Sequence, residues 1–312
     1  MKKNLLIAAI ALMAVAFVSC QKDGVYNPKH KIAKVYNEWT TTTVTTDESG
    51  SRTVTDVQNP YVAQEWTWGD KTLSSVMHKA SDGKVYETIS YTYDDKNRIS
   101  GCSCGNEKAE YVYNDDKKLQ SIKITDGPDY TMTIEITYDG KVPASVKTVS
   151  SYSFKNLSTF AKSVIPSYIS EAIEAEQMHS KATVSSTYNS TIEWDGKNIS
   201  QVVTTGENGY KYTTNYEYDN KANPFKGMYG SMAEAYQSDA DYDVAYSKNN
   251  VVKKTVSRVN GNETRTVVTE YAYEYDGKMP SKITYTDENE ETVLGVNYKT
   301  TYVHVTTYEY TK

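Results

Sequence analysis

The sequence predicts an all-β fold, a large antiparallel meander forming a curved sheet or barrel with one or two inserted helices. Three observations lead there: an apolar set built on tyrosine instead of leucine, a hairpin motif repeated along the chain, and helical spacing confined to two short segments.

The chain holds 29 tyrosines, yet downstream of residue 19 its leucines are only Leu73, Leu119, Leu157 and Leu294. Helical domains draw on leucine and alanine, whereas tyrosine, threonine and valine suit a pleated, half-buried surface.

The repeated unit is a short alternating strand ending in an aromatic residue, then an acidic or amide turn carrying a lysine, then a second strand. Copies are Trp66-Thr67-Trp68-Gly69-Asp70-Lys71, Tyr91-Thr92-Tyr93-Asp94-Asp95-Lys96 and Tyr111-Val112-Tyr113-Asn114-Asp115-Asp116-Lys117. Further copies are Thr137-Tyr138-Asp139-Gly140-Lys141, Glu193-Trp194-Asp195-Gly196-Lys197, Tyr216-Glu217-Tyr218-Asp219-Asn220-Lys221 and Tyr273-Glu274-Tyr275-Asp276-Gly277-Lys278, with a degenerate eighth at Tyr246-Ser247-Lys248-Asn249-Asn250. Asp-Gly, Asp-Asn and Asp-Asp tolerate the positive φ of tight hairpin turns, so each copy reads as a hairpin. Spacings of roughly 20 to 30 residues give a meander of about 14 to 18 strands.

Residues 157–178 switch to helical spacing, with Ile165, Ile169, Ala172 and Ile173 on one face, and Pro166 splits the segment. Asn223-Pro224-Phe225 followed by residues 228–237 reads as a loop and short helix. Each helix has an apolar side that the sheet should cover.

The N-terminus carries an export signal. Lys2 and Lys3 precede an apolar run from Leu5 to Val18, and small Ser19 stands before Cys20. The run is shorter than the about 20 residues a bilayer-spanning helix needs. Phe17-Val18-Ser19-Cys20 resembles the bacterial lipobox, which implies acylation of Cys20 and cleavage before it. The domains expected are a lipoprotein signal peptide at 1–19, a tether at 20–30, and a single β-meander at 31–312 with its helical insert at 157–178.

The tyrosine-Asp-Gly-Lys hairpins, Asn223-Pro224-Phe225 and the lipobox together resemble the uncharacterised Bacteroidota lipoproteins of porin-like fold. The hairpins are also similar to the tyrosine-aspartate repeats of bacterial surface shell proteins. The resemblance implies a large, curved or closed antiparallel sheet on an outer membrane lipoprotein, exposed to the periplasm or at the cell surface. It carries no functional residue over.

Removing Lys2 and Lys3 from the 34 basic residues leaves 32 against 40 acidic ones, a net charge of −8. Without a Lys/Arg cluster that acidity argues against nucleic acid, and the membrane is expected as a partner only through the lipid on Cys20. In residues 86–92 threonine and serine share one face and Glu87, Ile89 and Tyr91 the other, so neither face is oily enough for a lipid-facing barrel wall.

Catalytic motifs are absent from the sequence. Asp94/Asp95 and Asp115/Asp116 occupy turn positions, and His30, His78, His179 and His304 lack metal-ligand spacing. Cys102 and Cys104 form no metal set, and the Asp239-Ala240-Asp241-Tyr242-Asp243 run has Val244 and Asn250 where a calcium loop needs glycine and glutamate. No metal and no cofactor are therefore expected. The candidate ligand-binding residues are Trp39, Trp66, Trp68 and Trp194, because indoles stack on sugar rings; Trp68 and Trp194 also fit the aromatic position of the repeat, where a ring packs across strands. The leading expectation is a lipid-anchored binding or scaffold module for a glycan or an envelope protein. A glycan-active hydrolase with a cleft under residues 157–178, and a membrane-inserted barrel, are the alternatives.

Overall fold

The computed structural model describes residues 24–127, 130–151, 157–177, 186–206, 209, 211–227, 246–260, 263–293 and 296–311. The signal segment, Cys20, the helix expected at residues 228–237 and Asp239, Asp241 and Asp243 lie outside the described residues. Sixteen antiparallel strands follow one another round a closed barrel, with the last bonded to the first. They are β1 (Ile32–Asp47), β2 (Gly50–Trp68), β3 (Leu73–Lys79), β4 (Val85–Tyr93), β5 (Ile99–Cys104), β6 (Glu107–Tyr113), β7 (Leu119–Asp126) and β8 (Tyr130–Asp139). Then come β9 (Val142–Ser151), the helices α1 (Thr159–Val164) and α2 (Ser167–Gln177), β10 (Ser186–Asp195), β11 (Asn198–Gly206), β12 (Lys211–Ala222), β13 (Asn249–Asn260), β14 (Glu263–Asp276), β15 (Met279–Val293) and β16 (Val296–Tyr310).

All the repeat turns lie at one end of this ring, hereafter the repeat end, and the remaining connections lie at the other. In each of the seven full copies the register slips immediately before the last aromatic residue, at Trp68, Tyr93, Tyr113, Tyr138, Trp194, Tyr218 and Tyr275. A bulge re-aims a side chain. At four of these positions it brings the polar tip of the ring to a backbone carbonyl at the foot of the strand before it, whereas Tyr218 meets Ser247 Oγ, Tyr275 meets the Asp219 carboxylate, and in that last copy Tyr273 makes the carbonyl bond, to Val251 O at 2.7 Å. Trp68 Nε1 donates to Ile32 O at 2.7 Å, Tyr93 Oη to Leu73 O at 2.6 Å, Tyr113 Oη to Ile99 O at 2.8 Å, and Trp194 Nε1 to Pro143 O at 2.7 Å. Tyr310, which ends β16, donates to Pro280 O in the same way at 2.7 Å.

The turn aspartates act through their side chains. The positive φ expected of the turn dipeptides falls on the glycine of the Asp-Gly turns, Gly140, Gly196 and Gly277, and in the five-residue turns on Asn97 (φ 60°) and Lys117 (φ 66°), beyond the Asp-Asp pairs. Asp94 accepts from the backbone N–H groups of Lys96 and Arg98 and from the Arg98 guanidinium. Burial works against its charge, but those donors and Arg98 hold the carboxyl below its ordinary range.

The eighth copy is not a hairpin. The chain leaves β12 at Ala222 and re-enters at Asn249, and the Asp219 carboxylate closes the gap by accepting from Asn250 N and Nδ2, each at 3.1 Å, and from the Tyr275 hydroxyl. The Asn223 side chain accepts from Phe225 N at 2.8 Å, turning Phe225 into the lumen between Trp66 and Tyr308.

Sixteen strands enclose more room than strand side chains alone can fill. The insert between β9 and β10 takes up that room. Pro166 divides it as expected, and Phe160, Ala161, Val164, Ile165, Tyr168, Ile169, Ala172 and Ile173 are all buried. Because α1 packs on β6 while α2 packs on β11 and β12, the helices lie inside the barrel. The sheet thus surrounds their apolar sides instead of covering one of them. Ile134, Ile136, Val146, Ile192 and Ile199 meet them from the wall.

The segment assigned as tether is partly docked. Gly24 O accepts from Ile99 N at 2.9 Å, and Tyr26 is buried 5.7 Å from the Trp68 ring. Gly24 has φ +75°, and a Cβ there would meet the Tyr113 ring, so this position requires glycine.

Removing one staple tests their weight. Tyr93→Phe keeps the ring but leaves the Leu73 carbonyl without its donor, which should cost about 1 kcal/mol and lower the urea midpoint without changing the slope.

Candidate functional site

Alternation along the strands decides which side chains enter the lumen. On β3 to β12 the inward residues are mostly apolar and pack on α1 and α2, so that part of the lumen is closed. The outward residues of the same strands are mostly polar, as with Thr88, Ser90 and Thr92 on β4, Lys123 on β7, and Thr133, Glu135 and Thr137 on β8, with Val112 on β6 and Val85 and Tyr86 at the start of β4 as exposed apolar exceptions. No described helix is long and apolar enough to cross a membrane.

The strands β14, β15, β16, β1 and β2 are longer, and their inward residues are aromatic and polar. Register places Trp39 of β1 opposite His304 of β16, His304 opposite Tyr285 of β15, and Tyr285 opposite Tyr271 of β14. The four form a continuous row across neighbouring strands. The imidazole of His304 stacks on Tyr285 with centroids 4.6 Å apart and planes 1° from parallel, while Tyr271 tilts against Tyr285 at 5.9 Å. Tyr302 extends the row along β16, 6.4 Å from His304.

Below the row, toward the repeat end, Thr306 Oγ1 donates to the buried Asn37 side chain at 3.3 Å. Tyr285 is 4% exposed and forms the back of the wall, whereas Tyr302 is 37% exposed. Trp39 and His304 are half-buried. Such a wall offers flat aromatic surface flanked by hydroxyls and imidazole nitrogen, the arrangement that grips a sugar ring or a planar group.

The four tryptophans separate by position. Trp66 is buried and its Nε1 donates to the buried Gln64 side chain at 2.9 Å. Trp68 and Trp194 occupy the stapling position of the repeat. Trp39 alone stands on the aromatic wall. Tyr271, Tyr285, Tyr302 and His304 were missed by sequence reasoning, and the signal that could have found them is the alternation of aromatic residues in Tyr302-Val303-His304.

Carboxylates gather elsewhere. Glu107 on β6 lies near Glu87 and Asp126, where burial first and these like charges next push its carboxyl upward, although Ser158 donates a hydrogen bond that opposes the shift. Ser158 is the N-cap of α1 and also accepts from Ala161 N at 3.0 Å. Glu107 thereby fastens the helical insert. Cys102 and Cys104 are both free thiols. Burial pushes Cys102 up to about 12, with Tyr111 Oη at 3.6 Å from its sulfur, so it stays protonated and unreactive. Among the described residues no three His, Cys, Asp or Glu side chains gather as a metal-ligand group.

No family model matches the chain, and no curated protein does. Among solved structures it is similar to a porin-like protein from Bacteroides uniformis ATCC 8492, at 12% identity and TM-score 0.44, over 88% of this chain and 97% of the other. A porin-like protein from Bacteroides vulgatus ATCC 8482 is similar at 10% identity and TM-score 0.42, over 91% and 99%. At such likeness the barrel here rests on its own strand pairing.

The raised Glu107 has a consequence with a definite sign. The folded chain binds a proton more tightly than the unfolded one, so this group's contribution falls as pH rises from near its ordinary value of 4.5 through the raised one. Glu107→Gln should remove that loss, giving urea midpoints that vary less between pH 4.5 and 7 than those of the parent chain.

Proposed function

We propose that the chain is a lipid-anchored envelope protein, acylated at Cys20, whose barrel binds a glycan on the inner wall formed by Trp39, His304, Tyr285 and Tyr271. The observation that carries this is the aromatic row itself, in a lumen whose other inward surfaces are occupied by the barrel's own helices. Aromatic faces beside hydroxyls suit the apolar faces and rim hydroxyls of pyranose rings.

Gly24 docks beside Ile99 at the repeat end, and it stands four positions after Cys20 in sequence, a span of roughly 14 Å when extended. A lipid on Cys20 would therefore hold the repeat end toward the membrane, with the opposite end directed outward. The polar outward residues of β4, β7 and β8 favour a body in water tethered by its lipid.

The closed sixteen-strand ring gives the membrane-inserted alternative its support, and solubility separates the two readings. Cys20→Ala should abolish acylation and release the folded protein into detergent-free buffer; aggregation of the folded chain unless detergent is supplied would favour insertion instead. For the ligand, calorimetric titration with oligomers of glucose, mannose and N-acetylglucosamine should find at least one binder. Trp39→Ala should weaken it at least tenfold while Trp194→Tyr leaves it within twofold. Equal loss in both variants, or no binding to any of the three, would remove the basis for a glycan site.

A further inference from the structure

The barrel is taller on one side than the other, and the tall side ends in a free edge. β2 pairs with β3 only from Gln64 to Trp68, while its residues Gly50 to Gln58 pair with β1 alone. On the other flank, Asp287–Val293 of β15 pairs with β16 alone, since β15 leaves β14 after Thr286. The ends of β2, β1, β16 and β15 therefore project from the rim as a four-stranded flap with two unpaired edges among the described residues.

The two edges differ in chemistry. The β15 edge carries Asp287, Glu288, Glu290 and Glu291, so two copies brought together there would repel. The β2 edge, Ser51-Arg52-Thr53-Val54-Thr55-Asp56-Val57, holds one cation and one anion and no proline or lysine to blunt it. Both charges are exposed and neither has a partner among the described residues. Val54 and Val57 are 45% and 63% exposed.

We propose that this edge pairs with the same edge of a second copy, antiparallel and centred on Val54, joining two flaps into one continuous eight-stranded sheet. A two-fold axis through Val54 sets Arg52 opposite the second copy's Asp56, and Asp56 opposite its Arg52. Thr53 then faces Thr55, and Ser51 faces Val57. A segment whose charges stand equally far on either side of its centre, with opposite sign, is complementary to itself when reversed. Shifting the register by two residues in either direction breaks both ion pairs. The new ladder satisfies the outward N–H and C=O groups of β2, which otherwise have only water. No catalytic or ligand residue is involved, so the pairing is independent of the glycan reading.

The test uses the full chain in its membrane and in concentrated solution. With Val54→Cys, mild oxidation should convert most of the protein to a disulfide dimer, because residues opposite one another on such an axis have Cα atoms about 4.5 to 5.5 Å apart. Thr92→Cys, on the outward face of the barrel wall, should stay monomeric under the same treatment. Adding Asp56→Arg or Arg52→Asp to Val54→Cys should each lower the dimer yield at least fivefold. Mixing those two reversed chains should restore it, since one then presents two arginines to two aspartates. A Val54→Cys chain that remains monomeric in both settings, or a yield unaffected by charge reversal, would overturn the proposal.

Discussion

The bond from an aromatic tip to a backbone carbonyl at the foot of the neighbouring strand is what the barrel depends on. Each such bond ties the two ends of one hairpin together at the place where the sheet must bend and close. It needs a long, flat, rigid side chain with a donor at its end, which tyrosine and tryptophan have and phenylalanine lacks. That is why the stapling position is filled by Trp68, Tyr93, Tyr113, Trp194 and Tyr310. The bulge before the aromatic residue and the turn after it serve the same geometry. One re-aims the ring, and the other lets the chain reverse while aspartate side chains bind the exposed turn amides.

Closing sixteen strands creates a second constraint, because the ring is too wide for its own inward side chains. Its answer is the helical insert, whose α1 and α2 lie in the lumen and not over the outside. The helices need an apolar surround, so the inward face of β3 to β12 is rich in isoleucine and valine. The outward face is left mostly to threonine, serine and charged residues. This is the reverse of a barrel that turns its oily side to lipid, and it follows from what fills the lumen.

Much of this architecture is legible in the sequence. Tyrosine excess, alternation and the Asp-Gly-Lys turns give the meander, and Pro166 marks the division of the helical segment. Closure is not legible, because nothing local in β1 or β16 announces that they meet; Trp39 and His304 lie far apart along the chain and become neighbours only through that last pairing. The bulges are hidden for a related reason, since a one-residue slip is a relation between two strands. The Asp-Gly dipeptides carry the positive φ expected of them, on Gly140, Gly196 and Gly277, but the Asp-Asp pairs do not: it falls on Asn97 and Lys117, because a five-residue turn places its left-handed residue later than a two-residue turn does. Trp66, Trp68 and Trp194 are indistinguishable from Trp39 by type. Only position separates indoles whose N–H groups hold the fold from one standing on an open wall.

The two ends of the barrel divide the work because they differ in how completely their polar groups are used. At the repeat end the strand feet, turn amides and aspartate side chains are occupied by staples and caps, and Tyr26 and Phe225 fill the centre. The opposite end has strands of unequal length, so some backbone and some aromatic faces extend past the last neighbour able to cover them. Unequal strand length is thus the common origin of the aromatic wall and of the free edge of β2. Trimming β1, β2, β15 and β16 to the seven residues of β3 would leave a closed, filled barrel without the free edge of β2 and without Trp39, the residue that completes the wall, while Tyr285 and His304 would stand at its rim. The additional length is unnecessary for closure, and that makes it the part of the molecule where binding and self-association can be sought.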